Sequence, residues 1–133
     1  MAQIPAQSMI VVGTGEGAHL FRNTGDKQDI NLKFIRTLEP GNLADEGPSG
    51  KSPPEQSGKE SMEATFSKQL AEHLYKFAHS GEAEHFVLVL DPDTMGEVRP
   101  LLHKEVTDRL VLELTKSLTN HPVEDIEKSI ASA

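Results

Sequence analysis

The sequence contains no cysteine in its 133 residues. Disulfide bonds, thiolate nucleophiles and cysteine-ligated metal sites are therefore excluded. No apolar run approaches the about 18 residues that a membrane-spanning helix requires, and Met1–Pro5 show no basic region followed by an apolar stretch. We therefore expect a protein with no membrane span that resides in the cytoplasm.

Positive charge is also scarce. The formal net charge is −8, and residues 1–38 form the one block in which basic side chains outnumber acidic ones, by four to three. Proteins that coat nucleic acid neutralise its phosphates with a broadly basic surface, so we do not expect such coating here. A local contact through Arg22, Lys27, Lys33 and Arg36 remains open, as does the simpler interpretation that these are solvated charges on a sheet edge.

The spacings typical of metal and catalytic sites are missing as well. The six histidines form no close pair and no His-Glu-x-x-His pattern, and no Gly-x-Ser-x-Gly motif marks a serine nucleophile. A Ser-His-Asp triad stays open, because its members need only meet in space. The sequence thus predicts no metal, no cofactor and no identifiable catalytic residue.

Two glycine-rich stretches carry the letters of phosphate-binding motifs without the context that these motifs require. The pattern Gly-x-Gly-x-x-Ala at 13–18 follows an apolar strand, but a second alternating strand reaches the turn at Gly25 and leaves no room for a helix. The tripeptide Gly-Lys-Ser at 50–52 has Asp45 where a P-loop needs glycine. We interpret the first as a hairpin turn and the second as a flexible loop.

The strongest structural pattern is the run Phe86–Leu90, five apolar residues that Asp91 ends abruptly. A short apolar run bounded by turn residues predicts a strand buried on both faces. Helical patterns on both sides of this run favour an α/β sheet. Three earlier strands, at 9–12, 18–23 and 32–38, are joined by short turns and predict an antiparallel meander.

Helical patterns occur in three places. Residues 62–80 carry an apolar stripe behind Ser61, which suits an N-cap. The stripe consists of Met62, Phe66, Leu70, Leu74 and Phe77.

Between this helix and the third strand, residues 39–61 hold four glycines, four prolines and four serines, which predicts a long flexible loop within a single domain spanning 1–133.

In the second half of the chain, some residue patterns fit more than one type of secondary structure. The residues at 94–97 fit a capping box for a second helix, and residues 109–115 fit either a strand or a helix. We favour a strand there, preceded by a helical turn. Asn120 or His121 caps a last helix with Pro122 in its first position. In total we expect an α/β domain with a mixed sheet of about five strands and about three helices.

A candidate ligand site lies at the carboxyl end of the central strand. Asp91, Asp93 and Thr94 follow that strand directly, and Asn120 and His121 follow the next one. Ligands of open α/β sheets bind outside the carboxyl ends of the strands. Asp and Thr also cap helices at such turns, so a purely structural role stays open.

Several motifs occur in a characteristic order along the chain. They are Gly15 with Ala-x-Leu-Phe at 18–21, Glu-Ala-Thr-Phe-Ser-Lys-Gln-Leu-Ala at 63–71, Phe-Val-Leu-Val at 86–89, Met-Gly-Glu-Val-Arg at 95–99, and Leu-Thr-Asn-His-Pro-Val at 118–123, which continues to Glu127. In this arrangement the chain resembles the bacterial host attachment proteins, which are bacterial relatives of the archaeal-eukaryotic peptide release factor.

The resemblance implies a ribonuclease H-like fold, similar to the central domain of the release factor, and a link to the ribosome or RNA. In that domain the loop before the long helix carries Gly-Gly-Gln, whose glutamine backbone helps water attack peptidyl-tRNA. The corresponding loop 39–61 has no such tripeptide, so no catalytic residue carries over. Its Lys51, Gln56 and Lys59 join the basic strand residues as candidate contacts with RNA or another partner.

We therefore favour a non-catalytic binding module that contacts the ribosome or RNA. One alternative is a hydrolase whose pocket lies at the carboxyl end of the strand 86–90. The other is a cell-attachment or surface-interaction factor, which the family name alone suggests.

Overall fold

The computed structural model describes residues 4–39 and 58–133, with side chains from residue 66 onward in the second range. The strands are β1 (Met9–Thr14), β2 (Gly17–Asn23), β3 (Leu32–Leu38), β4 (Phe86–Leu90) and β5 (Leu110–Thr115). The α-helices of the same residues are α1 (Gly58–Ser80), α2 (Pro92–Val98), α3 (Lys104–Thr107) and α4 (Val123–Ala131). A 3-10 turn at Arg99–Leu101 joins α2 to α3.

The strands form one mixed sheet in the order β3-β2-β1-β4-β5. Strand β4 runs parallel to both β1 and β5, whereas β2 is antiparallel to both β1 and β3. The predicted meander, the central strand and the strand near 109–115 are therefore confirmed. So is the small α/β domain with a mixed sheet of five strands.

Strand β4 lies at the centre of two apolar layers, and all five of its side chains are fully buried. Alternate side chains of a strand point to opposite faces. Leu88 accordingly packs in the layer that holds α1, and Val87 packs in the layer that holds Ile126 and Ile130 of α4. The predicted stripe of α1 is confirmed at Phe66, Leu70, Leu74 and Phe77, while the side chain of Met62 lies outside the described part.

Helix α1 begins earlier than the sequence pattern predicted. Its first residue is Gly58, whereas Ser61 was expected to be the N-cap. Lys59 has a high helix propensity and extends the helix backward from the apolar stripe. The last residues of the predicted loop 39–61 are thus helical, and its residues 40–57 lie outside the described part of the chain.

Helix α2 also begins before its predicted capping box. Its N-cap is Asp91, whose side chain accepts a hydrogen bond from the backbone N–H of Thr94. Pro92 follows at the first helical position, where its missing N–H leaves no donor unpaired. Thr94, which the sequence suggested as the cap, lies inside the first turn because the aspartate three residues earlier caps its amide group.

Helix α4 begins after its predicted cap. The N-cap is Pro122, and its backbone carbonyl accepts the hydrogen bond from the N–H of Asp125 over 3.0 Å. Val123 is the first helical residue. The expectation that Asn120 or His121 caps this helix was wrong, since both lie in the turn before it.

Candidate functional site

The glycine pattern at 13–18 forms a hairpin turn, as the sequence predicted. Strand β1 leads directly into β2, with Thr14 opposite Gly17 across a two-residue turn. A Cβ atom at Gly13 would lie 2.9 Å from the Cβ of Ala18. Glycine is therefore required at position 13 by the close approach of two strands, without any need for a bound phosphate.

The structure brings Asp91 and Thr94 together at the carboxyl end of β4. Oδ1 of Asp91 accepts a 2.6 Å hydrogen bond from the hydroxyl group of Thr94. Oδ2 accepts a 3.2 Å bond from the Thr94 backbone N–H. Thr94 is buried, while Asp93 is exposed. The two carboxylate oxygens of Asp91 thus both serve the start of helix α2, which is the structural role that the sequence left open.

Asn120 and His121 lie in the exposed turn between β5 and α4. Nδ1 of His121 is 3.4 Å from Oδ2 of Asp125 in that helix. Among the described residues, no hydrogen bond joins this turn to Asp91 or Thr94. The side-chain hydrogen bonds of Asp91 and the ion pair of His121 are thus each local to their own turn.

A different depression occupies this edge of the sheet. It lies beside the β1–β2 hairpin and the end of β3, and its volume is about 190 Å³. Its lining is rich in hydroxyl and carboxylate groups. The residues are Thr14, Glu16, Gly17, Ala18, His19, Thr37, Glu39 and Thr119. We call it the strand-end depression.

Three of the four basic contacts predicted in the β2–β3 region lie on one face of the sheet. Arg22 and Lys33 are cross-strand partners on β2 and β3, and such partners point to the same face. The guanidinium group of Arg36 lies 5.3 Å from the ring centre of Phe77 in α1. Arg36 pairs with Leu20, two residues from Arg22 on β2, so it lies on the same face. Lys27 lies apart from them in the exposed turn between β2 and β3.

Arg22 and Arg36 line a cleft between the end of α1 and the strands β2 and β3. The cleft has a volume of about 320 Å³ and is lined by Met9, Leu20, Arg22, Ile35, Arg36, Phe77 and Glu82. We call it the arginine cleft. Nη1 of Arg22 donates to the carbonyl groups of Gln7, over 3.0 Å, and Glu82, over 3.2 Å. These neutral acceptors hold the Arg22 side chain in place. The cleft thus combines two arginines and one acidic residue, Glu82, with apolar side chains.

Guanidinium groups suit phosphate and carboxylate groups, because their planar fork donates two parallel hydrogen bonds. The arginine cleft therefore fits an anion that carries an apolar or aromatic part. The candidate contacts Lys51 and Gln56 lie outside the described residues, and Lys59 is placed in α1 without a described side chain.

Two exposed apolar side chains of the edge strand β3 were not predicted from the sequence. Phe34 is 52% exposed and Ile35 is 41% exposed. Their adjacency breaks the alternation of apolar and polar residues expected for a strand with one buried face, and this break was the signal that could have found them. Ile35 has no partner on β2, so it is the extra residue of a β-bulge.

A family model described as bacterial archaeo-eukaryotic release factor family 12 matches residues 7–130. The chain belongs to this family. A comparison with curated proteins gave no match. No helix within residues 4–39 or 58–133 has the length and apolar character needed to cross a membrane.

Membership of a release-factor-like family confirms the resemblance inferred from the motifs, while the host-attachment function stays a prediction. The match covers every strand of the described fold and nearly all of its last helix. As a release-factor-like protein, this chain differs from the peptide release factor in one decisive respect: Gly-Gly-Gln occurs nowhere in its sequence. The family match therefore extends to the fold and leaves the chemistry to be argued from this chain's own residues.

Proposed function

We propose that this release-factor-like protein is a translation-related binding module of the cytoplasm that contacts ribosomal RNA and does not hydrolyse peptidyl-tRNA. The observation that carries the proposal is the convergence of Arg22, Lys33 and Arg36 on one sheet face beside the arginine cleft. Lys51, Gln56 and Lys59, which the sequence places between β3 and the apolar stripe of α1, are included as further contacts.

Charge supports this face over the rest of the surface. The chain has a net charge of −8, so a polyanion is repelled by the molecule as a whole and needs a local basic area to bind. Arg36 is exposed and its guanidinium group lies over the aromatic ring of Phe77. A phosphate group approaching the cleft would meet Arg22 and Arg36 together, which favours RNA over a neutral partner.

The strand-end chemistry offers less support for a hydrolase. A general acid or base works with a nucleophile or a second titratable group within hydrogen-bond reach, and the hydrogen bonds of the Asp91 side chain within the described residues go to Thr94. The release-factor tripeptide, which would act through its backbone, is missing from the sequence. A binding function requires neither a general acid or base nor the Gly-Gly-Gln tripeptide.

Co-sedimentation with purified ribosomes at stepped salt concentrations tests the proposal. We expect the wild-type protein to pellet with ribosomes at low salt and to be released as salt rises, because phosphate contacts are screened. The double variant Lys33→Gln/Arg36→Gln should be released at a lower salt concentration. Lys104→Gln/Lys128→Gln is the matched control, since both lysines are exposed elsewhere and the net charge changes equally.

Two results would overturn the proposal. One is a wild-type protein that stays in the supernatant at the lowest salt concentration. The other is an identical release profile for the two double variants, which would show that net charge alone and not the arginine-cleft face governs the association.

A further inference from the structure

The β-bulge in β3 places a basic and an aromatic side chain on opposite faces of the sheet edge. Leu20 pairs with Arg36, and the next residue, Phe21, pairs with Phe34. Successive residues of β2 point to opposite faces, and cross-strand partners share a face. In a strand without a bulge, Phe34 and Arg36 would lie on the same face, because they are two residues apart.

Phe34 belongs to a cluster of three rings that holds it in a fixed orientation. Its ring lies edge-to-face with Phe21, at 5.8 Å between centroids and an interplanar angle of 71°. It lies similarly against His19, at 6.2 Å and 60°. Nδ1 of His19 is in turn 3.0 Å from the hydroxyl oxygen of Thr37. We call Phe34, Phe21 and His19 the aromatic platform. Phe21 is buried, whereas about half of Phe34 faces solvent.

The aromatic platform adjoins groups that accept hydrogen bonds. His19 and Thr37 also line the strand-end depression, together with the carboxylate groups of Glu16 and Glu39. Carboxylate and hydroxyl oxygens accept hydrogen bonds from base amino groups and sugar hydroxyl groups, and carboxylates repel phosphate. A nucleotide at this edge would therefore direct its base and sugar to this side and its phosphate to the opposite face, where Lys33 and Arg36 lie.

We propose that the RNA bound by this protein is single-stranded where it meets β3, and that one unpaired base stacks on Phe34. This inference rests on the proposed function and names its ligand class. β3 is one of the two outermost strands of the sheet, so single-stranded RNA can pass around this one β-strand from the basic face to the aromatic platform. A duplex keeps its bases inside and cannot present one to an exposed ring.

A second copy of the chain paired with β3 in an antiparallel register centred on the exposed apolar residues would fit this edge poorly. Antiparallel pairing of two β3 strands about Phe34 and Ile35 would set Lys33 of one copy opposite Arg36 of the other. Like charges directly opposite each other destabilise a strand pair. The same two cations attract the phosphate backbone of RNA, so charge complementarity selects the nucleic acid.

Binding of a single-stranded RNA of about ten nucleotides with one 2-aminopurine tests the inference. Unstacking and restacking of this base change its fluorescence. We expect the wild-type protein to bind the single strand about tenfold more tightly than the same sequence in a duplex. Phe34→Leu should weaken binding about tenfold, since stacking on an aromatic ring supplies affinity that an aliphatic side chain does not. Phe34→Tyr should restore it.

The salt dependence separates the two kinds of interaction. Phe34→Leu should leave the slope of log affinity against log salt unchanged. Lys33→Gln/Arg36→Gln should reduce that slope by about 0.7 for each phosphate group that is no longer neutralised. Leu101→Ala is the control, because Leu101 is another exposed large apolar side chain, 44% exposed, away from β3. Thermal unfolding of each variant verifies that it is folded.

Each contrary outcome is distinguishable. If no RNA binds, the proposed function fails, and the stacking inference fails with it. The stacking inference alone is overturned if RNA binds but Phe34→Leu changes neither the 2-aminopurine fluorescence nor the affinity. It is also overturned if the duplex binds as tightly as the single strand. A wild-type dimer that Phe34→Leu dissociates would assign the aromatic platform to self-association and would overturn it too.

Discussion

The backbone N–H of Leu32 donates a 2.8 Å hydrogen bond to Oε2 of Glu127. Leu32 begins the edge strand β3, and Glu127 lies in helix α4, 95 residues further along the chain. An edge strand has one free side, so such an anchor supplies a contact that a second neighbouring strand would otherwise provide. The position of β3, and with it of Phe34 and Arg36, therefore depends on α4.

Replacing Glu127 tests this anchor. Glu127→Ala leaves the amide group of Leu32 without its acceptor, and we expect the free energy of unfolding to fall by about 1 kcal/mol. Glu127→Gln keeps an acceptor oxygen and should reduce stability less. Urea unfolding measures both values, and hydrogen exchange at Leu32 should accelerate in the alanine variant. Equal reductions for the two variants would contradict the assigned bond.

Changing the number of residues in the bulge tests its register. Leu32 and Leu38 are both buried, in opposite layers, although residues six positions apart share a face in a regular strand. Deleting Ile35 removes the extra residue and keeps both leucines in their layers, so we expect a reduction of stability below about 1 kcal/mol.

Inserting one alanine after Ile35 is the matched change in the other direction. If the one-residue bulge persists, one half of β3 must turn its side chains to the opposite face and expose Leu32 or Leu38. If the bulge is lost, the two leucines are seven positions apart and keep opposite faces, but part of β3 must shift by two residues along β2. We expect either change to lower the free energy of unfolding by about 2 kcal/mol. Urea unfolding compares the two variants. A deletion more destabilising than the insertion would show that Ile35 is not the extra residue.

Two substitutions of Asp91 separate a helix cap from a catalytic acid. Asn caps helices as well as Asp, whereas Ala does not. We expect Asp91→Ala to lower the free energy of unfolding by about 1 kcal/mol and Asp91→Asn to be nearly neutral. Ribosome co-sedimentation should be unchanged in Asp91→Asn. If an activity is found that Asp91→Asn abolishes at full stability, the hydrolase hypothesis gains the site.

The fold could be predicted from local patterns to a considerable extent. Five consecutive apolar residues at Phe86–Leu90 leave no solvent-facing position, and a buried central strand follows from that alone. The stripe of α1 repeats with the helical period, so its packed face was also predictable. The first residues of the helices were harder to predict. Asp91 and Thr94 are both good N-caps, for example, and only the folded geometry selects Asp91.

The candidate site was harder to predict. The basic residues of β2 and β3 were identified, but the face on which each lies depends on which residues pair across the strands. Because Ile35 has no partner on β2, the side chains of β3 on the two sides of it point to faces opposite to those that simple alternation predicts. Phe34 consequently had no assigned role in the sequence, although its exposure makes it the most unusual apolar side chain of the edge strand.

We expect the turn between β2 and β3 to make the stability of the fold depend on pH through the carboxylate of Asp26. The backbone N–H of Asp29 and then that of Gln28 donate to the Asp26 carboxylate, and these bonds lower its pKa from the ordinary 3.8. Because the pKa is lower in the folded state, this contribution to stability is fully present above the unfolded pKa and is lost as pH falls through the folded pKa. An NMR titration of the carboxyl carbon should give a value below 3.8. A value at or above it would contradict the turn geometry.

The central claim is that RNA binds at the β2–β3 edge and not at the strand ends near Asp91. The most direct test is a titration of the isotopically labelled protein with a single-stranded ribosomal RNA fragment, followed through backbone amide NMR signals. We predict shifts concentrated at residues 19–22 and 33–37, with those at 91–94 and 120–121 unchanged. Shifts confined to residues 91–94 and 120–121 would contradict the account. So would the absence of any shift at a large molar excess of RNA, under salt conditions in which the protein pellets with ribosomes.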